Sequence, residues 1–309
     1  MIDVPDTFAE ATVAREGEPG AVWLGRLPGV VSALLEQWGC APDGAVRHGG
    51  VGVVVPVRAR DGSAAVLKVS FPHPGNVHEP DAFAAWRGRG AVRLYERDDD
   101  RFAMLLERVR TATLAEVEDG DEVATVAGLL SRRLAVAAPP GLPRLQDRAG
   151  EWEAELRRDA EELTHRVSDR ALGAALATVR ELAASQPDTL VHGDLHPRNV
   201  LRADREPWLA VDPKGQVGDP AYDGGTFLKS RALAFLEADD LRRAALRSLD
   251  VFSEAAGLDP VRLRRWAQLH AVQAAFWGRR HGFRVTRAGG AELGRLVAFA
   301  EQFAQTLTS

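Results

Sequence analysis

Lysine is almost absent from this 309-residue chain: of 39 basic residues only Lys68, Lys214 and Lys229 are lysine. Where arginine is the default cation, each lysine merits individual attention, because a compact ammonium and a planar guanidinium do different work. Cysteine is reduced to Cys40, which excludes an intrachain disulfide and gives no sign of an oxidising compartment. No basic excess exists either: the net charge is -5, which argues against nucleic acid as the main partner. The longest stretch free of Asp, Glu, Lys and Arg, Trp266 to Gly278, is too short to span a bilayer. The start, Met1-Ile-Asp-Val-Pro-Asp, has neither the basic residues nor the apolar core of a signal peptide, so a cytoplasmic protein is expected. No Gly-Lys dipeptide occurs, which excludes a Walker A loop.

What is present changes character along the chain. Val22 to Trp38 carries apolar residues at helical spacing, with Pro28 expected to split the helix or begin its second part. From Gly44 to Ser70 the pattern is that of strands around a turn at Asp61-Gly62-Ser63. Residues 79–88 read as a helix, and Gly90–Glu96 and Arg101–Val109 as two further strands about the acidic turn Asp98-Asp99-Asp100. Helical spacing follows over 113–137, 150–186, 258–281 and 290–307, interrupted by short strands in 190–213. The predicted layout is a β-rich N-terminal lobe over 1–106, a hinge at 107–111 and a mostly helical lobe over 112–309.

The most informative segment is Val191-His192-Gly193-Asp194-Leu195-His196-Pro197-Arg198-Asn199-Val200-Leu201. Asp194 precedes Asn199 by five residues, and a second carboxylate, Asp212, follows thirteen residues later in Trp208-Leu-Ala-Val-Asp. That is the spacing of a phosphotransferase centre. One carboxylate takes the proton of an acceptor hydroxyl, while an amide oxygen and another carboxylate hold the magnesium that bridges nucleotide phosphates. Alone, each would be a turn or cap residue; together they make Asp194 the candidate base and Asn199 and Asp212 the candidate metal ligands. His192 and His196 are expected to support the loop rather than bind metal, since no Cys or further His lies at ligand spacing.

Lys68, within Val66-Leu67-Lys68-Val69, is the candidate phosphate contact, against the alternative of a solvent-facing strand lysine. Glu79 is its nearest candidate partner and Asp81 the competing one. Gly49-Gly50-Val51-Gly52 lies where a phosphate-covering hairpin belongs but is not Gly-x-Gly-x-x-Gly. Asp219-Pro220 reads as a helix start, with Asp219 a possible brace for the catalytic loop. Only six residues separate Asp212 from Asp219 and no Ala-Pro-Glu follows, so there is no room for a protein-kinase activation segment and the acceptor should be a small molecule.

These segments, with Met104-Leu-Leu-Glu-Arg and Glu206-Pro-Trp-Leu-Ala-Val-Asp-Pro-Lys-Gly, resemble the aminoglycoside phosphotransferase superfamily. Within it they are similar to the streptomycin 6-phosphotransferase and hydroxyurea phosphotransferase group, in the family's order from about residue 45 to 225. The resemblance implies an α+β, protein-kinase-like bilobal fold, ATP and Mg2+ as cofactors, and adenine on the backbone of Glu107 and Val109. It implies an ATP-dependent O-phosphotransferase acting on a small, cationic hydroxyl compound, streptomycin or a related aminoglycoside. The alternatives are a kinase for hydroxyurea or a cellular metabolite, and a nucleotide-binding protein without transferase activity. Trp266, Phe276 and Trp277 are expected in the core rather than at the acceptor.

Overall fold

The computed structural model describes residues 2–163, 167–284 and 290–308. The chain divides into two compact units, one of residues 1–110 with 203–205 and one of residues 111–202 with 206–309.

The first unit opens with helices α1 (Asp6–Glu16) and α2 (Glu18–Gln37). α2 runs through Pro28 without division. The carbonyl that Pro28 leaves without a helical partner is that of Leu24, which is half-buried and followed by the exposed Gly25 and Arg26. Strands β1 (Cys40–Pro42), β2 (Arg47–His48), β3 (Gly52–Ala59) and β4 (Ala64–Ser70) follow. Helix α3 (Glu79–Trp86) leads to β5 (Leu94–Asp98) and β6 (Ala103–Glu107). All pair antiparallel in the order β1-β3-β4-β6-β5, with β2 on the first half of β3. The β3–β4 turn forms where Asp61-Gly62-Ser63 predicts it: Asp61 accepts from the Ser63 amide at 2.9 Å, and Gly62 sits at φ +83°. β5 begins later than the periodicity suggests, since the chain first turns at Gly90 with φ +70°.

Alternation along β3, β4 and β6 decides the two faces of this sheet. Val53, Val55, Val57, Leu67, Val69 and Leu105 face one way and form a core with Phe8, Leu27, Val31 and Leu34 of the two helices. Lys68, paired with Val54 and Met104, faces the other way.

The second unit is mostly helical. The expected helix over 113–137 starts only at Gly120. Thr113 and Glu116 form a capping box around a 3-10 turn, and Asp119 then caps α4 (Gly120–Leu134) by accepting from Asp121 N–H at 2.9 Å. Strand β7 (Val136–Ala137), α5 (Ala149–Glu162) and α6 (Asp169–Thr178) lead to β8 (Thr189–Val191). Then come β9 (Val200–Arg202), β10 (Trp208–Ala210), β11 (Gln216–Val217) and α7 (Ala221–Ser230). The unit ends with α8 (Leu241–Ala256), α9 (Pro260–His281) and α10 (Gly290–Thr306). β8 lies between β7 and β11, and β9 pairs with β10. Phe227, Phe252, Leu263, Trp266 and Phe276 are fully buried among the helices, the two phenylalanines 227 and 252 with ring centroids 5.1 Å apart.

Candidate active site

The loop between β8 and β9 carries Asp194, and almost every backbone group around it has a named partner. His192 is fully buried. Its Nε2 lies 3.0 Å from the Val211 carbonyl and its Nδ1 3.2 Å from the Asp194 amide. A carbonyl can only accept and an amide N–H can only donate, so the imidazole must be neutral with its proton on Nε2. Burial agrees, pushing its pKa down to about 4. The expected loop-supporting role of His192 is thus what the geometry contains: one ring ties the Asp194 peptide to the end of β10.

A second tie comes from Asp223 on α7. Its carboxylate accepts from the amides of His192 at 2.9 Å and Gly193 at 2.8 Å. Burial pushes its pKa up to about 7 despite those two donors. Asp219, considered a possible brace for this loop, is engaged elsewhere: it accepts from the Ala221 amide at 3.0 Å, from Trp266 Nε1 at 2.6 Å and from Arg262. The bracing role falls to the carboxylate one helical turn later. Its spacing was visible in Gly218-Asp-Pro-Ala-Tyr-Asp223, but nothing local distinguishes which of the two aspartates reaches the loop.

With its peptide held, the Asp194 side chain remains about one-third exposed. His196 Nε2 lies 3.8 Å from it, and burial lowers the pKa of that ring. The chain then makes one 3-10 turn, Pro197–Asn199, which returns the Asn199 Nδ2 to the Asp194 carbonyl at 3.1 Å. Because that contact needs the amide nitrogen, Oδ1 faces away from the loop. Five residues of separation are what such a turn needs to close the ring.

Asp212 follows β10 with φ +60°, a left-handed conformation uncommon outside glycine and tolerated best by Asn and Asp. It is the only residue of the Val211–Gly215 segment besides Gly215 at positive φ. The Lys214 ammonium stands 3.9 Å from Asp212 Oδ2 and 4.0 Å from Asp194 Oδ2. Asp194, Asn199 and Asp212 therefore converge, with a lysine between the two carboxylates. Asn199 and Asp212 supply the hard oxygen donors that suit magnesium, which completes its shell with phosphate and water.

In the first unit, Lys68 Nζ lies 2.5 Å from Glu79 Oε1, and the Glu79 side chain is only 1% exposed. Glu79 is thus the partner, while Asp81 pairs with Arg97 at 2.8 Å and His78 at 3.1 Å. Glu107, at the end of β6, spends its carboxylate on Arg205 and the Arg93 amide, and its own N–H on the Arg93 carbonyl at 2.8 Å. Val109 lies just beyond, outside any helix or strand. The glycine hairpin joins β2 to β3: the Gly49 amide donates to the Gly52 carbonyl at 2.9 Å. A Cβ at Gly52 would lie 2.7 Å from the Val69 carbonyl, so only glycine fits there.

A cavity of about 530 Å³ opens beside α5, α7 and α9, lined among others by Trp152, Glu155, Asp159, Tyr222, Lys229, His270 and Trp277. Tyr222 stacks on Trp152 at 6.0 Å and meets His270 edge-on at 4.6 Å. Lys229 lines this recess, where desolvation lowers its pKa and the charge of Asp194 opposes that shift. Trp266 and Phe276 are core residues, as expected, but Trp277 is 39% exposed and lines the cavity. Helical spacing alone does not separate the two outcomes, because adjacent positions on α9 point to different sides.

A β-rich unit bearing a partly buried lysine–glutamate pair and a helical unit bearing these three polar groups is the division of labour found in kinases. The choline kinase LicA from Streptococcus pneumoniae has this fold: it superposes with a TM-score of 0.55 at 12% identity, covering 91% of this chain and 99% of that one. The fold is that of the protein-kinase-like phosphotransferases. Sequence narrows the class. Residues 37–282 match the aminoglycoside/hydroxyurea antibiotic resistance kinase family, and the chain belongs to that family. It is 37% identical over 279 residues to the streptomycin 6-kinase of Streptomyces glaucescens, covering 90% of this chain and 91% of the relative. It is 36% identical over 285 residues to the hydroxyurea phosphotransferase of Kitasatospora aureofaciens, covering 90% and 80%. The chain is a phosphotransferase with a hydroxyl group as acceptor, and kinase chemistry makes a nucleotide its phosphoryl donor. No helix among the described residues is long and apolar enough to cross a membrane.

Proposed function

We propose that this enzyme transfers the γ-phosphoryl group of ATP to a hydroxyl of streptomycin or a related aminoglycoside, in the cytoplasm where ATP is made. Residues 1–106 form the nucleotide-binding lobe, 107–111 the hinge and 112–309 the lobe with the catalytic and acceptor sites. Asp194 takes the acceptor's proton. Asn199 Oδ1 and Asp212 hold Mg2+, which neutralises phosphate charge when bound. Lys68, fixed by Glu79, contacts the phosphates, and adenine rests on the peptides of Glu107 and Val109. The observation that carries the reading is the held backbone of residues 192–194, with the amides of His192 and Gly193 on Asp223 and the Asp194 amide and carbonyl on His192 and Asn199, beneath an accessible carboxylate. Phosphoryl transfer is chiefly positioning and charge neutralisation, so a rigidly held base is what the chemistry asks of the protein.

The acceptor occupies the cavity beside α5, α7 and α9. Glu155, which has no ion-pair partner among the described residues, supplies a carboxylate for a guanidinium or ammonium group and Trp277 an aromatic face, while Asp159 is paired with Arg280 at 2.5 Å. Glu237, Asp240 and Asp259 do not serve there: Glu237 pairs with Arg295, and the two aspartates cap α8 and α9. A second reading, hydroxyurea as acceptor, is favoured by the 36% identity to a hydroxyurea phosphotransferase.

The test is ADP release by the purified protein with MgATP, across streptomycin, other aminoglycosides, hydroxyurea and a no-acceptor control. A streptomycin-dependent rate that Asp194→Asn removes supports the proposal. Turnover only with hydroxyurea supports the second reading, and undiminished turnover in Asp194→Asn rejects Asp194 as the base.

A further inference from the structure

We propose that Lys214 is a catalytic residue, its ammonium donating hydrogen bonds to the non-bridging oxygens of the phosphoryl group in flight. The inference rests on the reading of Asp194 and Asp212 given above and extends it to a residue which that reading leaves without a task.

Composition points to it first. In a chain that writes arginine almost everywhere, three lysines survive. Lys68 is paired with Glu79, Lys229 lines the cavity, and Lys214 stands at the two carboxylates of the loop. A guanidinium is broad and planar and prefers to grip one carboxylate with two parallel bonds. An ammonium is compact, directs three donors at a tetrahedral spacing, and shifts between partners without reorienting a plane.

Geometry carries the argument further. At 3.9 and 4.0 Å from the two carboxylates, the Lys214 ammonium is close enough to feel both charges and too far to be hydrogen-bonded to either. Its backbone is nevertheless fixed: the Lys214 amide donates to the His192 carbonyl at 2.7 Å. The approach depends on glycine at position 193, which sits at φ +80° and where a Cβ would lie 3.0 Å from the Lys214 Cβ. The loop is built to bring this side chain to the base and the metal ligand, yet leaves its donors for something between them.

The chemistry supplies that something. The acceptor O–H bond breaks, with its proton passing to the Asp194 carboxylate. The acceptor oxygen forms a bond to the γ-phosphorus while the bond from that phosphorus to the β,γ-bridging oxygen breaks, its electrons leaving on ADP. Negative charge is spread over the three equatorial oxygens of the group in transit. A preorganised donor there stabilises the transition state more than the ground state, and Lys214 neither gains nor loses a proton in the step.

The test compares Lys214→Met and Lys214→Arg with the unaltered enzyme and with Asp194→Asn, using streptomycin as acceptor. Where transfer to streptomycin is undetectable, the slow hydrolysis of MgATP serves instead. Removing one transition-state donor is expected to lower kcat by about 10²–10³-fold. The KM for MgATP, the half-saturating magnesium concentration and the unfolding midpoint should stay within about threefold, threefold and a few degrees of wild type. Lys214→Arg restores the charge but not the compact ammonium, and should recover only part of the loss, about tenfold. A Lys214→Met kcat within about fivefold of wild type overturns the proposal, as does a loss that falls on KM or magnesium affinity, which marks a lysine that merely balances two carboxylates. If Asp194→Asn keeps its turnover, the underlying assignment fails; if it loses turnover while Lys214→Met does not, only the role of Lys214 fails.

Discussion

Replacing Asp223 by asparagine should leave the protein folded and nearly stop it working. The side chain is fully buried and accepts from two backbone amides, those of His192 and Gly193. Even with those donors, its pKa stands at about 7 against 3.8 for an ordinary aspartate, so carrying the charge at pH 8 costs about 4 kcal/mol relative to the unfolded chain. Asparagine removes that cost. It also turns an NH2 group toward one of the two amides, so that one buried N–H loses its acceptor, at roughly 1–3 kcal/mol. The difference favours the variant, which should be about 1–3 kcal/mol more stable than wild type. Catalysis has no such compensation. The disturbed amides are those of the two residues preceding Asp194, and a displacement of about 1 Å at a reacting group costs on the order of 10²-fold in rate. The assay is paired: urea unfolding at pH 8 for stability, and kcat from ADP release under saturating MgATP. A folded variant with kcat within threefold of wild type would refute the bracing role. A loss of more than about 4 kcal/mol would refute the claim that the buried charge is held at a cost.

Asp194→Ala should cut kcat by at least about 10²-fold while isothermal titration still detects nucleotide, because a general base acts on the acceptor and not on ATP. Asp212→Ala should instead weaken magnesium-dependent nucleotide binding, and unchanged affinity would remove it from the metal site. Lys68→Met takes the ammonium from a carboxylate that is 1% exposed, and should both raise KM for ATP and lower stability by about 3–5 kcal/mol, read from urea midpoints. His192 and Asp223 contribute to the pH dependence of stability with opposite sign. His192, with its pKa depressed to about 4, leaves the unfolded chain holding a proton that the fold does not between pH 6.5 and 4, so this contribution is lost as pH falls through that window. Asp223, with its pKa raised, binds a proton in the fold that the unfolded chain has released between pH 3.8 and 7, so its contribution is lost as pH rises. In Asp223→Asn the opposing contribution is gone, so around pH 5 stability should rise with pH more steeply than in wild type, by up to about 1.4 kcal/mol per pH unit of difference.

The sequence by itself determined the chemistry and most of the elements. The contact between Asp194 and Asn199 was legible because a carboxylate-bearing residue and an amide five residues apart can be closed by a single turn, a local constraint that spacing records. Lys68 was legible as the polar member of an alternating strand, and the sheet face it occupies follows from that alternation. Boundaries were less so: α4 starts seven residues after the periodicity suggests, because the Thr113–Glu116 box and the Asp119 cap settle the chain before the helix begins. What only the tertiary structure decided were contacts between distant segments. Whether Asp219 or Asp223 braces the loop depends on how α7 is rotated against β8, some thirty residues away. Whether Lys68 takes Glu79 or Asp81 depends on which side of α3 faces the sheet. Trp277 lines a cavity while Trp266 and Phe276 are buried, because the packing of α9 against its neighbours sets which of its sides is covered. Lys214 was visible only as a rare residue, and its place between two carboxylates comes from a backbone approach at Gly193 that no local pattern encodes. Local geometry is written in spacing; the meeting of separate segments is decided by packing, which depends on the whole chain at once.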